Sequence, residues 1–240
     1  MLSAIILTLI TLNLSDSTQT TKNDIIANDK QNELSNSNII VNNPQTLPKE
    51  NRKHIQDSFQ NYIVKLIGSG ENETQGTAFF FDNNNLILTN FHIVQSCDYF
   101  EIEDNTSKKY PAYLVEYDNQ NDLAVLFVPD CENYDYLSFE KKLPKQNEVV
   151  HAAGFPNGEY NLSSGLVKEP EYNILNTKYI SSSTTLEQGN SGGPLINESN
   201  KIIGINCGKY EDSHYLAIPA VTAIEFINSI DKTNLEQYIK

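Results

Sequence analysis

Ten short runs of apolar, β-branched and aromatic residues constrain this chain more than any other feature. They are Tyr62 to Ile67, Gly76 to Phe81, Leu86 to Thr89, Tyr110 to Glu116, Leu123 to Val128, Val149 to Ala153, Lys178 to Ser182, Pro194 to Ile196, Ile202 to Asn206 and His214 to Ile218. Each is too short for a stable helix, and turn-forming residues break the chain between them, as in Asp82-Asn83-Asn84-Asn85 and Asn197-Glu198-Ser199-Asn200. Frequent short strands with few helices predict an all-β barrel or sandwich. Two helical patterns are exceptions. Ile55, Phe59 and Ile63 are spaced for a short helix leading into the first strand. Val221, Ile224, Ile227 and Ile230 predict a terminal amphipathic helix packed on the β core.

The strand-forming part does not begin at the first residue. Leu2 to Leu14 is an apolar run shorter than the roughly 20 residues that a spanning helix needs. It fits the apolar core of a secretory signal, with Ser15 and Ser17 as small residues near a cleavage point. Residues 1–17 are therefore read as a signal peptide. No Lys or Arg precedes the run, which leaves an uncleaved anchor or a misassigned start as the alternatives. After signal cleavage no membrane-spanning segment is expected, and the chain is placed as secreted or periplasmic. Residues 18–54 are rich in Asn, Ser, Thr, Asp and Gln without sustained periodicity, which predicts a disordered spacer. The folded domain is assigned to residues 55–240.

The formal net charge of -14 argues against a nucleic-acid partner, because phosphate recognition needs clustered Lys and Arg. The three cysteines, Cys97, Cys131 and Cys207, form no CxxC pair and no zinc-spaced cluster. A Cys97–Cys131 bridge and three free buried thiols both fit the sequence.

The sharpest chemical signal is Gly189-Asn190-Ser191-Gly192-Gly193-Pro194-Leu195. A serine hydroxyl is a poor nucleophile until a base removes its proton. It must also sit where backbone amides can meet a developing oxyanion. Glycines on both sides permit a tight, partly positive-φ turn that aims amides into one small space. Four histidines could supply the base. His54 lies in a polar stretch, His151 sits inside an apolar strand, and His214 begins a strand. His92 follows the apolar run Leu86-Ile87-Leu88-Thr89 at a short turn, which suits a side chain presented to a cleft. An acid must then orient the imidazole. Asp122 stands at the mouth of the buried run Leu123 to Val128. Its rival Asp118 lies in a polar loop and reads as a solvated charge.

The order His92, Asp122, Ser191 is the chymotrypsin order. Thr-Asn-x-His at Thr89 to His92, Asp-Leu-Ala-Val-Leu at Asp122 to Leu126, and Gly-Asn-Ser-Gly-Gly-Pro at Gly189 to Pro194 resemble the trypsin-like peptidase superfamily. The HtrA/Deg-like and glutamyl-endopeptidase-like branches are the most similar. Gly76 to Phe81, Ile202 to Asn206 and Tyr215 to Pro219 also resemble strands of that branch. The resemblance implies an all-β fold of two six-stranded antiparallel β-barrels with a C-terminal helix, the barrels meeting near residues 141–148. It implies a serine endopeptidase acting on protein or peptide substrates through His92, Asp122 and Ser191. The backbone amides of Gly189 and Ser191 would form the oxyanion hole, with no metal and no cofactor. A non-catalytic binding or adhesion module on the same fold is the competing reading.

Two details narrow the expectation. Position 190 is Asn, and a neutral carboxamide cannot form the ion pair with a freed amino terminus that activates zymogens of this superfamily. The specificity pocket is assigned by resemblance to Thr185, Asn206, Cys207, Gly208 and His214. Thr185 stands where an Arg/Lys-specific enzyme would carry an acid, and Asn206 stands where glutamyl peptidases carry His. A small or medium apolar residue before the scissile bond is the expected preference. The chain ends soon after the terminal helix, so regulation by an appended PDZ domain is not expected.

Overall fold

The computed structural model describes residues 59–131, 134–211 and 214–239. The leader and spacer expected over residues 1–54, and the start of the helix expected from Ile55, lie outside the described residues. Residues 59–62 form a turn that leads into β1.

Among the described residues, twelve strands make two closed antiparallel barrels. The first contains β1 (Ile63–Gly70), β2 (Thr74–Phe80), β3 (Leu86–Thr89), β4 (Cys97–Glu103), β5 (Lys109–Asp118) and β6 (Leu123–Phe127), closing in the order β1-β2-β3-β6-β5-β4. The second contains β7 (Val149–Gly154), β8 (Asn161–Ile174), β9 (Thr177–Ser182), β10 (Pro194–Asn197), β11 (Ile202–Tyr210) and β12 (His214–Pro219), closing in the order β10-β11-β12-β9-β8-β7. A one-turn helix α1 (Phe91–Val94) follows β3, and helix α2 (Ala220–Ser229) follows β12. This is the double-barrel architecture with a terminal helix that the sequence implied.

Strand alternation explains why several runs read as continuously apolar. On β6, Ala124 and Leu126 point into the first barrel, while Leu123, Val125 and Phe127 point to the layer between the barrels. On β3, Ile87 points inward, and Leu86 and Leu88 face that same layer. Both faces are buried, so polar residues are excluded from both. The interior of the second barrel is a smaller cluster of Val150, Ala152, Val167, Ile180, Leu195, Ile203 and Ala217. The inter-barrel layer continues onto Ala223, Phe226 and Ile227 of α2, so the terminal helix closes the seam. Burying each of the two larger side chains contributes roughly 1.5–3 kcal/mol.

The segment between the barrels is anchored at two places. Phe139 bridges to Ile202 at the second barrel. At the first, the Asn85 carboxamide donates to the carbonyls of Val128, Pro129 and Cys131 at 3.0, 3.2 and 3.0 Å and accepts from Tyr134 Oη at 2.6 Å. The Tyr134 ring stacks on Phe80 with centroids 3.9 Å apart. Cys97, Cys131 and Cys207 are all free thiols. Burial pushes the Cys131 thiol up to about 11, so it stays protonated.

Candidate active site

The site is built where the end of β3 meets the turn before β10. Beyond Thr89 the chain leaves the first barrel through Asn90 and turns into α1. The first amides of a helix have no partner within it. Here Asp122, at the mouth of β6, supplies one: its Oδ1 accepts the His92 backbone N–H at 2.8 Å. Its Oδ2 lies 2.8 Å from His92 Nδ1. One carboxylate thus fixes both the backbone and the ring of His92. The Asn90 side chain ties back to the Asp122 carbonyl at 3.0 Å, completing a closed clamp. Asp122 holds a positive φ of 56°, a conformation that Asp tolerates better than most residues.

The clamp is partly withdrawn from water, with side chains of His92 and Asp122 only 11% and 15% exposed. Phe91 stacks on Tyr117 beside it, centroids 4.6 Å apart. Behind it, burial raises the pKa of the Cys207 thiol and the Tyr179 phenol, and the Asp122 charge pushes both the same way. Both stay neutral next to the carboxylate. Asp118 has no part in the clamp. Its carboxylate accepts from Gln120 N, Asn121 N and Asn121 Nδ2 of its own loop.

Ser191 approaches from the second barrel. Its carbonyl accepts Thr77 N–H of β2 at 2.9 Å. A Cβ built on Gly192 would lie 2.1 Å from the Thr77 carbonyl oxygen and 3.2 Å from Asn90 N. The serine turn is therefore pressed against the turn that carries His92, and only glycine fits at that contact. Gly189 and Gly192 have φ of 104° and 84°, the left-handed conformations that glycine adopts without strain.

The carbonyls from Gln188 to Ser191 are all tied. Gln188 O accepts Asn157 N–H at 3.2 Å, Gly189 O accepts Thr77 Oγ1 at 2.6 Å, and Asn190 O accepts Gly193 N–H at 3.1 Å. In a trans peptide the carbonyl and the following N–H point to opposite sides. Fixing the carbonyls therefore fixes the amides. Asn190 N–H goes to Glu187 O at 3.0 Å and Gly192 N–H to Asn206 O at 2.8 Å. The amides of Gly189 and Ser191 are left, and neither donates to another described residue. These are the two amides assigned from the sequence to the oxyanion hole.

The other histidines lie elsewhere. His54 is outside the described residues. His151 is buried in β7, with Nδ1 2.8 Å from Ser164 Oγ, and burial lowers its pKa. His214 Nδ1 lies 2.9 Å from Ser181 Oγ, and its ring stacks on Tyr172. Among the other residues assigned by resemblance to the specificity pocket, Thr185 is exposed and its amide donates to Ser163 Oγ. Asn206 is 1% exposed, its carboxamide bonded to the Pro194 carbonyl. Cys207 is buried, its thiol donating to Leu216 O, and Gly208 sits at the adjoining irregularity in β11 with φ of 150°. Thr77, Phe155 and Asn157, which hold the serine turn, carried no sequence signal of their own. Thr77 reads as one strand residue among others.

Comparisons with known proteins agree with this architecture. The sequence matches the trypsin-like peptidase domain over residues 76–205. A probable periplasmic serine endoprotease DegP-like from Hahella chejuensis is 31% identical over 176 residues, covering 69% of this chain and 37% of the relative. A DegP-like relative from Rhizobium meliloti is 30% identical, covering 66% of this chain and 33% of its own length. The chain thus spans about a third of the length of these relatives. The solved HtrA-type protease AlgW with tripeptide superposes with a TM-score of 0.66 at 23% identity, covering 74% of this chain and 61% of that one. With its fold, its serine turn and this match in agreement, the chain belongs to the trypsin-like peptidase family.

Proposed function

We propose that the chain is a serine endopeptidase that cleaves protein or peptide substrates through His92, Asp122 and Ser191. The observation that carries this reading is the clamp in which one carboxylate holds both the amide and the ring of His92, set against a serine turn whose carbonyls from Gln188 to Ser191 are tied back. Ser191 Oγ attacks the scissile carbonyl while His92 Nε2 takes its proton. Asp122 keeps the proton of the neutral imidazole on Nδ1 and stabilises the imidazolium once it forms. The carbonyl oxygen becomes an oxyanion received by the Gly189 and Ser191 amides. Collapse of the tetrahedral adduct expels the amine, which carries away the proton from His92 and leaves an acyl-enzyme. A water molecule, deprotonated by His92, then releases the acid and restores Ser191.

Ser191 Oγ makes no hydrogen bond to another described residue, which accords with catalytic hydrogen bonds that tighten only with substrate present. Side-chain selection is assigned to the surface around Thr185, Asn206, Cys207, Gly208 and His214, with a small or medium apolar preference. The neutral Asn190 carboxamide supports an enzyme with no trypsin-type zymogen switch. The names of the periplasmic relatives support action outside the cytoplasm. Among the described residues no helix is long and apolar enough to cross a membrane.

A fluorophosphonate probe tests the reading directly. Wild type is expected to label covalently, and Ser191→Ala is expected not to. Equal labelling of the two would remove Ser191 as nucleophile, and no labelling of a folded wild type would favour the binding-module alternative. Digestion of a peptide library tests the pocket. A sharp Arg or Lys preference would contradict the role given to Thr185.

A further inference from the structure

We infer that the Thr77 hydroxyl is a positioning residue for the oxyanion hole, holding the serine turn of the second barrel from a strand of the first. The inference rests on the endopeptidase reading above. Thr77 is fully buried on β2 and uses every polar atom it has toward this purpose or its own placement. Its Oγ1 accepts Phe155 N–H at 3.0 Å. With that lone pair occupied by a donor, its single proton is directed to Gly189 O, 2.6 Å away. Its backbone N–H donates to Ser191 O at 2.9 Å, and its carbonyl accepts Thr89 Oγ1 at 2.8 Å.

The peptide between Gly189 and Asn190 lies between the two that carry the unengaged amides. If it turned over, Gly189 O would lose the Thr77 hydroxyl and Asn190 N–H would lose Glu187 O together. Gly189 is the residue least able to resist such a turn by itself, because it lacks a Cβ and its φ is already 104°. The neighbouring carbonyls are held from within the second barrel, by Asn157 N–H and Gly193 N–H. Among the described residues, Thr77 alone brings a side-chain hydrogen bond from the first barrel to a carbonyl of this turn, while Gln75 Nε2 reaches across only to Phe155 O at 3.5 Å. The hydroxyl also couples the turn to the segment after β7, since Phe155 N–H and Gly189 O share one oxygen. Thr77 touches no reacting atom, so its effect passes through the amides it aligns.

The test uses the full chain and three variants. Thr77→Val keeps the shape and removes the hydroxyl, Thr77→Ser keeps the hydroxyl, and Thr77→Ala removes it without a second methyl. Two rates are measured: fluorophosphonate labelling, which seats a phosphoryl oxygen where the oxyanion develops, and turnover of a fluorogenic peptide chosen from the library digest. Thermal unfolding is followed in parallel. Removing a direct oxyanion donor costs roughly 10²–10³ in kcat, and an indirect loss is expected to reach about 10- to 100-fold. Thr77→Val and Thr77→Ala should therefore fall by that factor in labelling rate and kcat, with KM within about threefold of wild type. Thr77→Ser should stay within about threefold throughout.

Several results would overturn the inference. Thr77→Val could keep wild-type rates, or raise KM alone. Thr77→Ser could lose as much as Thr77→Val. Thr77→Val and Thr77→Ala could both fail to unfold cooperatively, which would make the residue a part of barrel docking as a whole. A folded wild type that neither labels nor turns over peptide would instead refute the endopeptidase reading, an outcome distinct from all of these.

Discussion

Replacing Asp122 with Asn tests the clamp more sharply than deleting it. The two residues have nearly the same shape, so packing is preserved. Their hydrogen-bonding capacity differs, since a carboxylate accepts at both oxygens and a carboxamide accepts at one and donates at the other. In this site the choice of which end faces which partner is not free. Oδ1 meets the His92 backbone N–H at 2.8 Å, and that group can only donate. The carboxamide oxygen must face it, which leaves the NH₂ 2.8 Å from His92 Nδ1. Nδ1 must then become the acceptor, and the neutral ring carries its proton on Nε2. That nitrogen can no longer take the Ser191 proton. The opposite orientation sets NH₂ against N–H and loses the backbone bond instead. The loss for this tautomer error in a serine triad is about 10⁴ in kcat, equivalent to roughly 5.5 kcal/mol of transition-state stabilisation at 1.36 kcal/mol per tenfold. Steady-state turnover of the library-selected peptide measures it, with thermal unfolding as the control for structure. A folded Asp122→Asn protein within tenfold of wild-type kcat would refute the argument, because the backbone donor would not be enforcing the orientation.

Three further outcomes follow from the geometry. Asn85→Gly removes the carboxamide that serves three carbonyls and Tyr134 and is expected to lose about 2 kcal/mol in urea unfolding. Asn85→Ala should lose about 1 kcal/mol more, because φ is 59° there, and equal losses would show that the backbone conformation is not costly. Gly192→Ala should abolish fluorophosphonate labelling, since its Cβ would meet the Thr77 carbonyl oxygen at 2.1 Å at a φ of 84°, and a labelling-competent variant would contradict that packing. For His151 the folded pKa is lowered below its ordinary value of 6.5 by burial, so below that pH the unfolded chain binds the extra proton first. Its contribution makes stability fall as pH drops through about 6.5 toward the folded value, and urea midpoints at pH 8 and pH 5 should differ less in His151→Gln than in wild type.

Most of the fold was legible because burial on both faces leaves a strong mark. Ten of the strands appear in the sequence as apolar runs, and those of β3 and β6 are the clearest since neither face meets water. Strands β4 and β8 were not legible. In β4 only Phe100 and Ile102 are buried, set among Glu101, Glu103 and an exposed Tyr99. Strand β8 is long, interrupted by register shifts, and buries only Gly165, Val167 and Ile174, with Pro170 in its middle. In β4 the alternation runs only over Phe100 to Glu103, and β8 is broken by its register shifts, so neither gives a continuous apolar run. The candidate site followed the same logic. His92, Asp122 and Ser191 could be singled out because their residue types carry the chemistry. Thr77 and Asn157 could not, because one acts through a hydroxyl shared with Phe155 and the other through a backbone amide, and neither pairing is local in sequence.

That difference bears on how activity and stability are linked. His92 and Asp122 belong to the first barrel and Ser191 to the second, yet Thr77 bonds to Gly189, Ser191 and Phe155 across the seam. The layer beneath that seam is a continuous apolar cluster from both barrels and α2. A change that loosens the seam must therefore disturb the serine turn before either barrel opens, because the turn's alignment uses bonds that exist only when the barrels are docked. Phe226→Ala, a change on α2 rather than among His92, Asp122 and Ser191, makes this concrete. Large-to-small substitutions of buried Phe cost about 3–5 kcal/mol, and Phe226 sits in that inter-barrel layer. On warming, the labelling rate of the variant should fall several degrees below its own global unfolding transition. Loss of labelling that coincides with unfolding would mean the barrels separate and unfold as one event, and the serine turn would then have no independent dependence on their docking.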